Sequence, residues 1–131
     1  SQAKKEYDAA FALLKQGLYE KASKSFRSFV KRNPNHNLAG NAQYWIGEAN
    51  YVMRNFKVAL KEFKKVPANY PKSNKVADAQ LKIGYVYFEL EDWSKASKTL
   101  KNVIKSYPNT RVAKYAENRL AKIKKSKKKK K

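Results

Sequence analysis

Apolar residues in the middle of the chain recur at intervals of three and four residues, the spacing of one buried helix face. Between residues 42 and 53 they are Ala42, Trp45, Ile46, Ala49 and Met53. A second stripe with this spacing comprises Phe56, Ala59, Leu60, Phe63 and Val66. The Arg54-Asn55 pair separates the two stripes, and Pro71, which cannot continue a helix, follows the second. The pattern therefore predicts two helices joined by a short turn and closed by a proline.

This hairpin pattern occurs three times, at a constant interval of 37 residues. The interval relates three prolines, three alanines and two glycines, which are Pro34, Pro71 and Pro108; Ala22, Ala59 and Ala96; and Gly47 and Gly84. So many coincidences at one period indicate an internal repeat. The repeats fall at about residues 4–36, 40–73 and 77–110, and a last apolar stripe predicts a further helix over about residues 111–124. We therefore expect an all-α fold.

The repeated positions resemble the tetratricopeptide family, whose pattern places small, aromatic and proline residues at fixed offsets. Those offsets read Ala10, Tyr19, Ala22, Phe26 and Pro34; Gly47, Phe56, Ala59, Phe63 and Pro71; and Gly84, Trp93, Ala96, Leu100 and Pro108. The usual family repeat is shorter, at about 34 residues. The resemblance implies a right-handed superhelical solenoid of three hairpins over residues 1–123, with the helix near residues 111–124 as a cap.

Charge adds a second feature, because the chain has 31 Lys and Arg against 10 Asp and Glu, a formal net charge of +21. Residues 124–131 are lysine-rich and have no apolar periodicity, so we expect a disordered tail there. A positive field of this size attracts nucleic acid, anionic lipid or acidic proteins. It does not choose among them.

Signals for catalysis or for a metal or cofactor are nearly absent. The chain has no cysteine and no Gly-rich phosphate loop. His36, the one histidine, sits between Asn35 and Asn37 in a predicted turn, without a nucleophile or carboxylate at useful spacing. The acidic cluster around Glu91 fits a plain hairpin turn better than a Ca²⁺ loop, which needs more oxygen ligands. We expect a binding scaffold without a cofactor, and not an enzyme.

Targeting signals are also lacking. No apolar run is long enough to span a bilayer, and the first residues lack the apolar segment of a signal peptide. The expectation is therefore either a cytosolic protein or a mature fragment whose leader has been removed.

Several longer segments resemble the C-terminal domain of the CpoB/YbgF family, part of the Tol-Pal system of Gram-negative envelopes. They are residues 41–48 (NAQYWIGE), 70–73 (YPKS), 77–84 (ADAQLKIG) and 107–110 (YPNT). The resemblance implies a periplasmic adaptor that binds TolA and helps to coordinate outer-membrane constriction with septal peptidoglycan synthesis. Family members also carry an N-terminal coiled coil that drives trimerisation. This sequence does not contain it, so the resemblance gives no support for a homo-oligomer here.

The resemblance also implies a binding face, because the family lines its concave surface with residues of the first helix of each hairpin. The implied partner-binding residues are Asn41, Tyr44, Glu48, Tyr51, Asp78, Lys82, Tyr85 and Glu89, with Phe88 beside them. Tyrosine suits such a face, since it joins a large apolar ring to a hydroxyl. The aromatic residues Trp45, Phe56, Phe63 and Trp93 are instead expected in the core.

One kind of partner is disfavoured, because chaperone-binding relatives hold a terminal carboxylate with Lys and Asn at the fifth and ninth positions of the first helix. Here those positions hold Tyr7 and Phe11 in the first repeat, and Tyr44 and Glu48 in the second. The resemblance therefore gives no support for binding of a chaperone tail.

An alternative remains open at this level. The chain is far more basic than is usual for the resembled family, and a lysine-rich scaffold, natural or engineered, that binds nucleic acid or other polyanions would share every repeat feature. Removing residues 124–131 separates the two hypotheses, because a charge-driven binder should lose much of its affinity and a groove binder should not.

Overall fold

The computed structural model describes residues 1–129, and within them it contains helices and no strand. The helices are α1 (Gln2–Lys15), α2 (Tyr19–Arg32), α3 (Ala39–Val52), α4 (Phe56–Asn69), α5 (Val76–Glu89), α6 (Trp93–Ser106) and α7 (Arg111–Lys129). The predicted all-α fold class is confirmed. None of these helices is long and apolar enough to cross a membrane.

The helix boundaries repeat with the sequence period. The first helices of the hairpins begin at Gln2, Ala39 and Val76, and the second helices begin at Tyr19, Phe56 and Trp93. Both series advance by 37 residues, the interval found in the sequence. The periodic residues therefore occupy equivalent places in equivalent hairpins.

Each hairpin turn contains one residue with a left-handed backbone conformation. These residues are Gly17 (φ 80°), Arg54 (φ 64°) and Glu91 (φ 58°), again 37 positions apart. Glycine adopts this conformation without steric cost, whereas a residue with a Cβ atom does so with strain. The equivalence shows that backbone geometry, and not side-chain type, is what the repeat preserves at this turn.

The described chain divides into two compact units, of which unit 1 spans Ser1–Val76 and contains α1 to α4. In unit 1, α2 packs against α1 and α3, and α3 packs against α4. The largest fully buried side chains here are Phe26, Phe29, Ile46, Phe63 and Val66. Gly47 is required where α3 meets α4, because a Cβ atom there would lie 2.5 Å from Cδ1 of Phe63. The small repeated residue thus has the steric role expected of a close helix approach.

Unit 2 runs from Ala77 onward and contains α6 and α7, which pack against one another, and nearly all of α5. Its core consists of Leu81, Ala96, Leu100, Val103, Ala116 and Ile123. Gly84 repeats the role of Gly47, since an added Cβ atom would lie 2.5 Å from a methyl carbon of Leu100. Unit 2 is therefore a hairpin completed by one further helix.

The last helix departs from the sequence-based expectation. It was expected to end near residue 124 and to be followed by a disordered tail, but α7 continues to Lys129. Lysine is a good helix former, so a lysine run can extend an existing helix even without an apolar face. Residues 130 and 131, the rest of the predicted tail, lie outside the described residues.

A buried carboxylate links three helices of unit 1. Glu62 on α4 is 3% exposed and accepts a hydrogen bond of 2.9 Å from the side-chain amide of Gln43 on α3. Arg27 on α2 lies 3.2 Å from the same carboxylate, and Lys65 lies 3.4 Å from it. Burial raises the pKa of Glu62, but the hydrogen bond from Gln43 and the charges of Arg27 and Lys65 outweigh burial and hold that pKa below its usual value.

Candidate functional site

The predicted binding residues of unit 1 lie along α3. Asn41, Glu48 and Tyr51 are half-buried, so each keeps part of its surface open, whereas Tyr44 is only 7% exposed. Their spacings of three and four residues place all four on one side of the helix. The structure therefore brings these residues together, but it makes Tyr44 a packing residue first.

The side chains of Tyr44 and Trp45 are buried to a different extent than the sequence predicted. The Tyr44 ring packs on Phe63, with ring centroids 5.5 Å apart. Trp45, expected in the core, is half-buried, and its indole N–H donates a hydrogen bond of 3.0 Å to the Tyr7 hydroxyl. Trp45 thus combines an open surface with a fixed orientation.

Four rings from α1 and α3 form one continuous cluster, which we call the aromatic patch: Tyr7, Phe11, Tyr44 and Trp45. Phe11 meets Trp45 edge to face at 5.3 Å, and Trp45 meets Tyr44 at 5.0 Å. Tyr7, Phe11 and Trp45 are half-buried. The patch combines exposed aromatic area with little freedom to move, a combination typical of residues that dominate binding energy.

A lysine completes this surface. The ammonium nitrogen of Lys75 lies 5.2 Å from the Tyr44 ring centroid and 5.0 Å from that of Trp45. Both distances are within the range of a cation–π interaction. A cation held over the buried ring of Tyr44 and the half-buried ring of Trp45 gives the patch an attraction for acidic groups as well as for apolar ones.

The sequence contained a signal for Tyr7 and Phe11 that the binding-face prediction did not use. Tyr7 lies 37 residues before Tyr44, and Phe11 lies 37 residues before Glu48. Applying the period to the predicted site of the second hairpin would have found both residues. No such signal was available for Lys75, whose place depends on how the turn after α4 folds back.

The predicted residues of unit 2 lie along α5. Asp78, Lys82, Tyr85 and Glu89 are all half-buried. The Lys82 ammonium nitrogen lies 5.7 Å from the Tyr85 ring centroid. A residue that was not predicted also reaches this face, because the Arg119 guanidinium of α7 lies 3.8 Å from the Tyr85 ring centroid.

The residues weighed for chemistry have structural roles. His36 accepts a hydrogen bond of 3.0 Å at Nδ1 from the Leu38 backbone N–H, and its ring packs on Phe29. Asp92 caps α6 by accepting a hydrogen bond of 3.2 Å from the Lys95 backbone N–H. Within the described residues, no group of three or more acidic, His or Cys side chains could hold a metal ion.

The second helices carry repeated positive charge on their exposed sides. Two sets of equivalent basic residues are exposed, namely Lys24, Lys61 and Lys98, and Arg27, Lys64 and Lys101. Within each helix the members of the two sets are three residues apart, so they share one side. In unit 1 this surface belongs to α2 and α4, whereas the aromatic patch belongs to α1 and α3.

Comparison with known families identifies the repeat. The family model described as "YfiO: Outer membrane lipoprotein" matches residues 37–118, and a tetratricopeptide-repeat model matches residues 6–36. A relative from Pseudomonas putida, the cell division coordinator CpoB, is 57% identical over 44 residues. That match covers 34% of this chain and 16% of the relative's length.

Solved structures share the fold at low sequence identity. The Arabidopsis OM64 tetratricopeptide domain is 20% identical, with a TM-score of 0.76 over 92% of this chain and 94% of that one. The first such domain of Spaghetti (RPAP3), solved with an HSP90 peptide, is 21% identical, with a TM-score of 0.77 over 95% and 91% of the two chains. Yersinia enterocolitica SycD, solved with a peptide of the translocator YopD, is 16% identical, with a TM-score of 0.77 over 98% and 94%.

These likenesses establish the predicted tetratricopeptide fold, and the family match covers more than half of the chain. The chain belongs to the YfiO outer membrane lipoprotein family of tetratricopeptide-repeat proteins and is a repeat domain of the CpoB type.

Proposed function

We propose that this domain is a non-enzymatic adaptor of the Tol-Pal system in the periplasm, where it binds a segment of TolA. In this role it helps to coordinate outer-membrane constriction with septal peptidoglycan synthesis during cell division. The stretch 57% identical to cell division coordinator CpoB supports the cellular setting. The match to an outer membrane lipoprotein family supports a place in the cell envelope.

The aromatic patch is the observation that carries the proposal. Aromatic side chains that are half-exposed and held by their neighbours lose little conformational entropy when a partner covers them. The Trp45 N–H to Tyr7 hydroxyl bond provides this ordering between two hairpins. Two solved structures of the same fold contain peptides, which supports a peptide-like occupant for this face.

The charge beside the patch narrows the kind of segment that fits. Lys75 lies over two of the rings, and the chain as a whole carries a formal net charge of +21. A partner segment with apolar anchors flanked by acidic residues would satisfy the rings and the ammonium group together. We therefore expect the bound TolA segment to be apolar at its centre and acidic at its edges.

Calorimetric titration of the chain with a purified periplasmic fragment of TolA tests the proposal. The titration should be run at about 0.3 M salt, where screening suppresses non-specific attraction by the basic surface. We expect saturable binding, and we expect Trp45→Ala to weaken it by about 30-fold, or about 2 kcal/mol, as for a central aromatic anchor. The melting curve of the variant should be recorded to show that it remains folded.

Tyr115→Ala is a matched control, because Tyr115 is an aromatic residue that is 46% exposed and lies on α7, outside the patch. It should leave the affinity unchanged within about twofold. Absence of binding to TolA at this salt concentration would contradict the proposal. Equal losses in the two variants would contradict the patch as the binding surface.

Polyanion binding is a second candidate function, favoured by the repeated exposed basic residues of the second helices. A charge-driven binder loses affinity steeply with salt and has no need of the aromatic patch. Titration with duplex DNA at about 0.05 M and about 0.3 M salt distinguishes it. DNA binding that is strong at the lower salt concentration, falls steeply at the higher one and is unchanged by Trp45→Ala would favour this candidate over the adaptor.

A further inference from the structure

Arg119 occupies an unusual environment in unit 2. It projects from α7 onto two aromatic rings of α5, with its guanidinium carbon 3.8 Å from the Tyr85 ring centroid and 4.7 Å from that of Phe88. Its Nη1 atom is buried and has no hydrogen-bond partner among residues 1–129. At least one donor of this ring-packed cation therefore has no acceptor.

Two other arginines of the chain pair with carboxylates. Arg27 lies 3.2 Å from the carboxylate of Glu62, and Arg32 lies 2.8 Å from that of Glu6. A guanidinium carries five N–H donors in a flat fork that matches a carboxylate. Leaving one of them buried without an acceptor costs free energy. An anion that paired with the guanidinium would supply the acceptors that the fork lacks.

We propose that Arg119 forms a subsite for a peptide carboxylate on the α5 face. The ammonium nitrogen of Lys82 lies 5.7 Å from the same Tyr85 ring and adds positive charge to this face. Arg119 is half-buried as a whole, so part of its side chain faces solvent while its guanidinium packs on the two rings. Within the proposed adaptor function, on which the identity of the ligand rests, the carboxylate is an acidic side chain of the bound segment.

The subsite differs from the tetratricopeptide carboxylate clamp in the residues that form it. The clamp uses the fifth and ninth positions of first helices, whereas Arg119 lies on α7, which follows the last hairpin. A carboxylate that approaches Arg119 would meet a preoriented fork, which is the condition for a bidentate pair.

Small carboxylates test the subsite without TolA. The Nε–Hε NMR signal of Arg119 should be followed in the full chain at about 0.3 M salt during titration with three probes. N-acetylglutamate α-methylamide carries a side-chain carboxylate, N-acetylglutamine carries a terminal carboxylate, and N-acetylglutamine methylamide carries neither. We expect a saturable shift with the first probe, a response at least about threefold weaker with the second, and none with the third.

Arg111 provides the internal control, because it is exposed and lies on the same helix. Its signal should shift little, and without saturation. Equal, linear shifts at Arg111 and Arg119 would overturn the subsite and leave only general attraction to a basic surface. A stronger response to the terminal carboxylate would overturn the assignment to an acidic side chain.

Two substitutions separate this inference from the adaptor proposal. Arg119→Lys keeps the charge but removes the flat fork, so it should weaken binding of N-acetylglutamate α-methylamide at least about fivefold, followed on the Tyr85 ring protons. Arg119→Ala should weaken TolA binding about tenfold, whereas Arg111→Ala, which removes the same charge, should not. If Arg119→Ala left the affinity for TolA unchanged, the subsite would be refuted and the adaptor proposal would stand. If the chain bound the carboxylate probe but not TolA, the adaptor proposal would be refuted and the subsite would stand.

Discussion

Replacing Phe63 by alanine is expected to destabilise unit 1 by about 3–5 kcal/mol, the usual range for a buried phenylalanine. Phe63 is fully buried and packs on Tyr44. An alanine would leave a cavity beside Gly47, which has no side chain with which to fill it. The loss therefore includes both the transfer of the ring and the empty volume that remains.

Urea unfolding followed by tryptophan fluorescence measures this effect. The chain has two tryptophans, so a Trp93→Phe background leaves Trp45 of unit 1 as the only reporter. Val58→Ala on the same helix is a matched control, because Val58 is 40% exposed and should cost less than about 0.5 kcal/mol. A loss below about 1 kcal/mol for Phe63→Ala would contradict the packing described for α3 and α4.

Removal of the Glu62 carboxylate is expected to have the next largest effect on stability. At neutral pH, Glu62→Ala should destabilise unit 1 by about 2 kcal/mol, since Gln43 loses a hydrogen bond to a charged, buried acceptor. The side chains of Arg27 and Lys65 are 45% and 39% exposed, so solvent screens the contribution of their ion pairs to stability. The same single-tryptophan unfolding assay applies. A loss below about 0.5 kcal/mol would show that the buried carboxylate contributes nothing net.

The acid dependence provides a second readout of this carboxylate. The pKa of Glu62 is lower in the folded protein than its ordinary value of 4.5. Its stabilisation is therefore complete above about pH 4.5 and is lost as the pH falls through the lower, folded pKa. The free-energy difference between the parent and Glu62→Gln should accordingly narrow between about pH 6 and about pH 3. Asp8→Asn, a control on an exposed pair with Lys4, should show a much smaller change.

The sequence was sufficient to predict the repeat because one period governs many features at once. Pro34, Pro71 and Pro108 mark the ends of the hairpins, and the small residues mark close helix approaches. These are local requirements of backbone and packing, so they can be recognised in a single sequence. The observed helix boundaries repeat at the same interval for the same reason.

Depth within the fold was harder to predict, as Tyr44 and Trp45 show. Both lie on the wide apolar band of α3, which packs against α2 on one side and α4 on the other. Helical periodicity places neighbouring residues about 100° apart, which does not decide which of two adjacent rings faces the core. Their depths are set by Phe63 and Tyr7, residues far away in the sequence.

The remaining features depend on long-range contacts that carry no sequence signature. The Gln43–Glu62 hydrogen bond joins residues 19 positions apart on different helices. Arg119 reaches Tyr85 only because α7 packs back onto the last hairpin. The continuation of α7 to Lys129 contradicts the disordered tail that was predicted from composition. A lysine run is compatible both with a solvated tail and with a helix extension.

The central claim is that a partner segment covers the aromatic patch. Its most direct test is the indole N–H NMR signal of Trp45 in the full chain, assigned with Trp93→Phe, during titration with the periplasmic TolA fragment. We expect a large, saturable shift, because that N–H is bonded to the Tyr7 hydroxyl beneath the proposed partner. The backbone amides of Lys57 and Lys61, exposed on α4, should stay unchanged. An unperturbed Trp45 signal at saturating TolA would contradict the account.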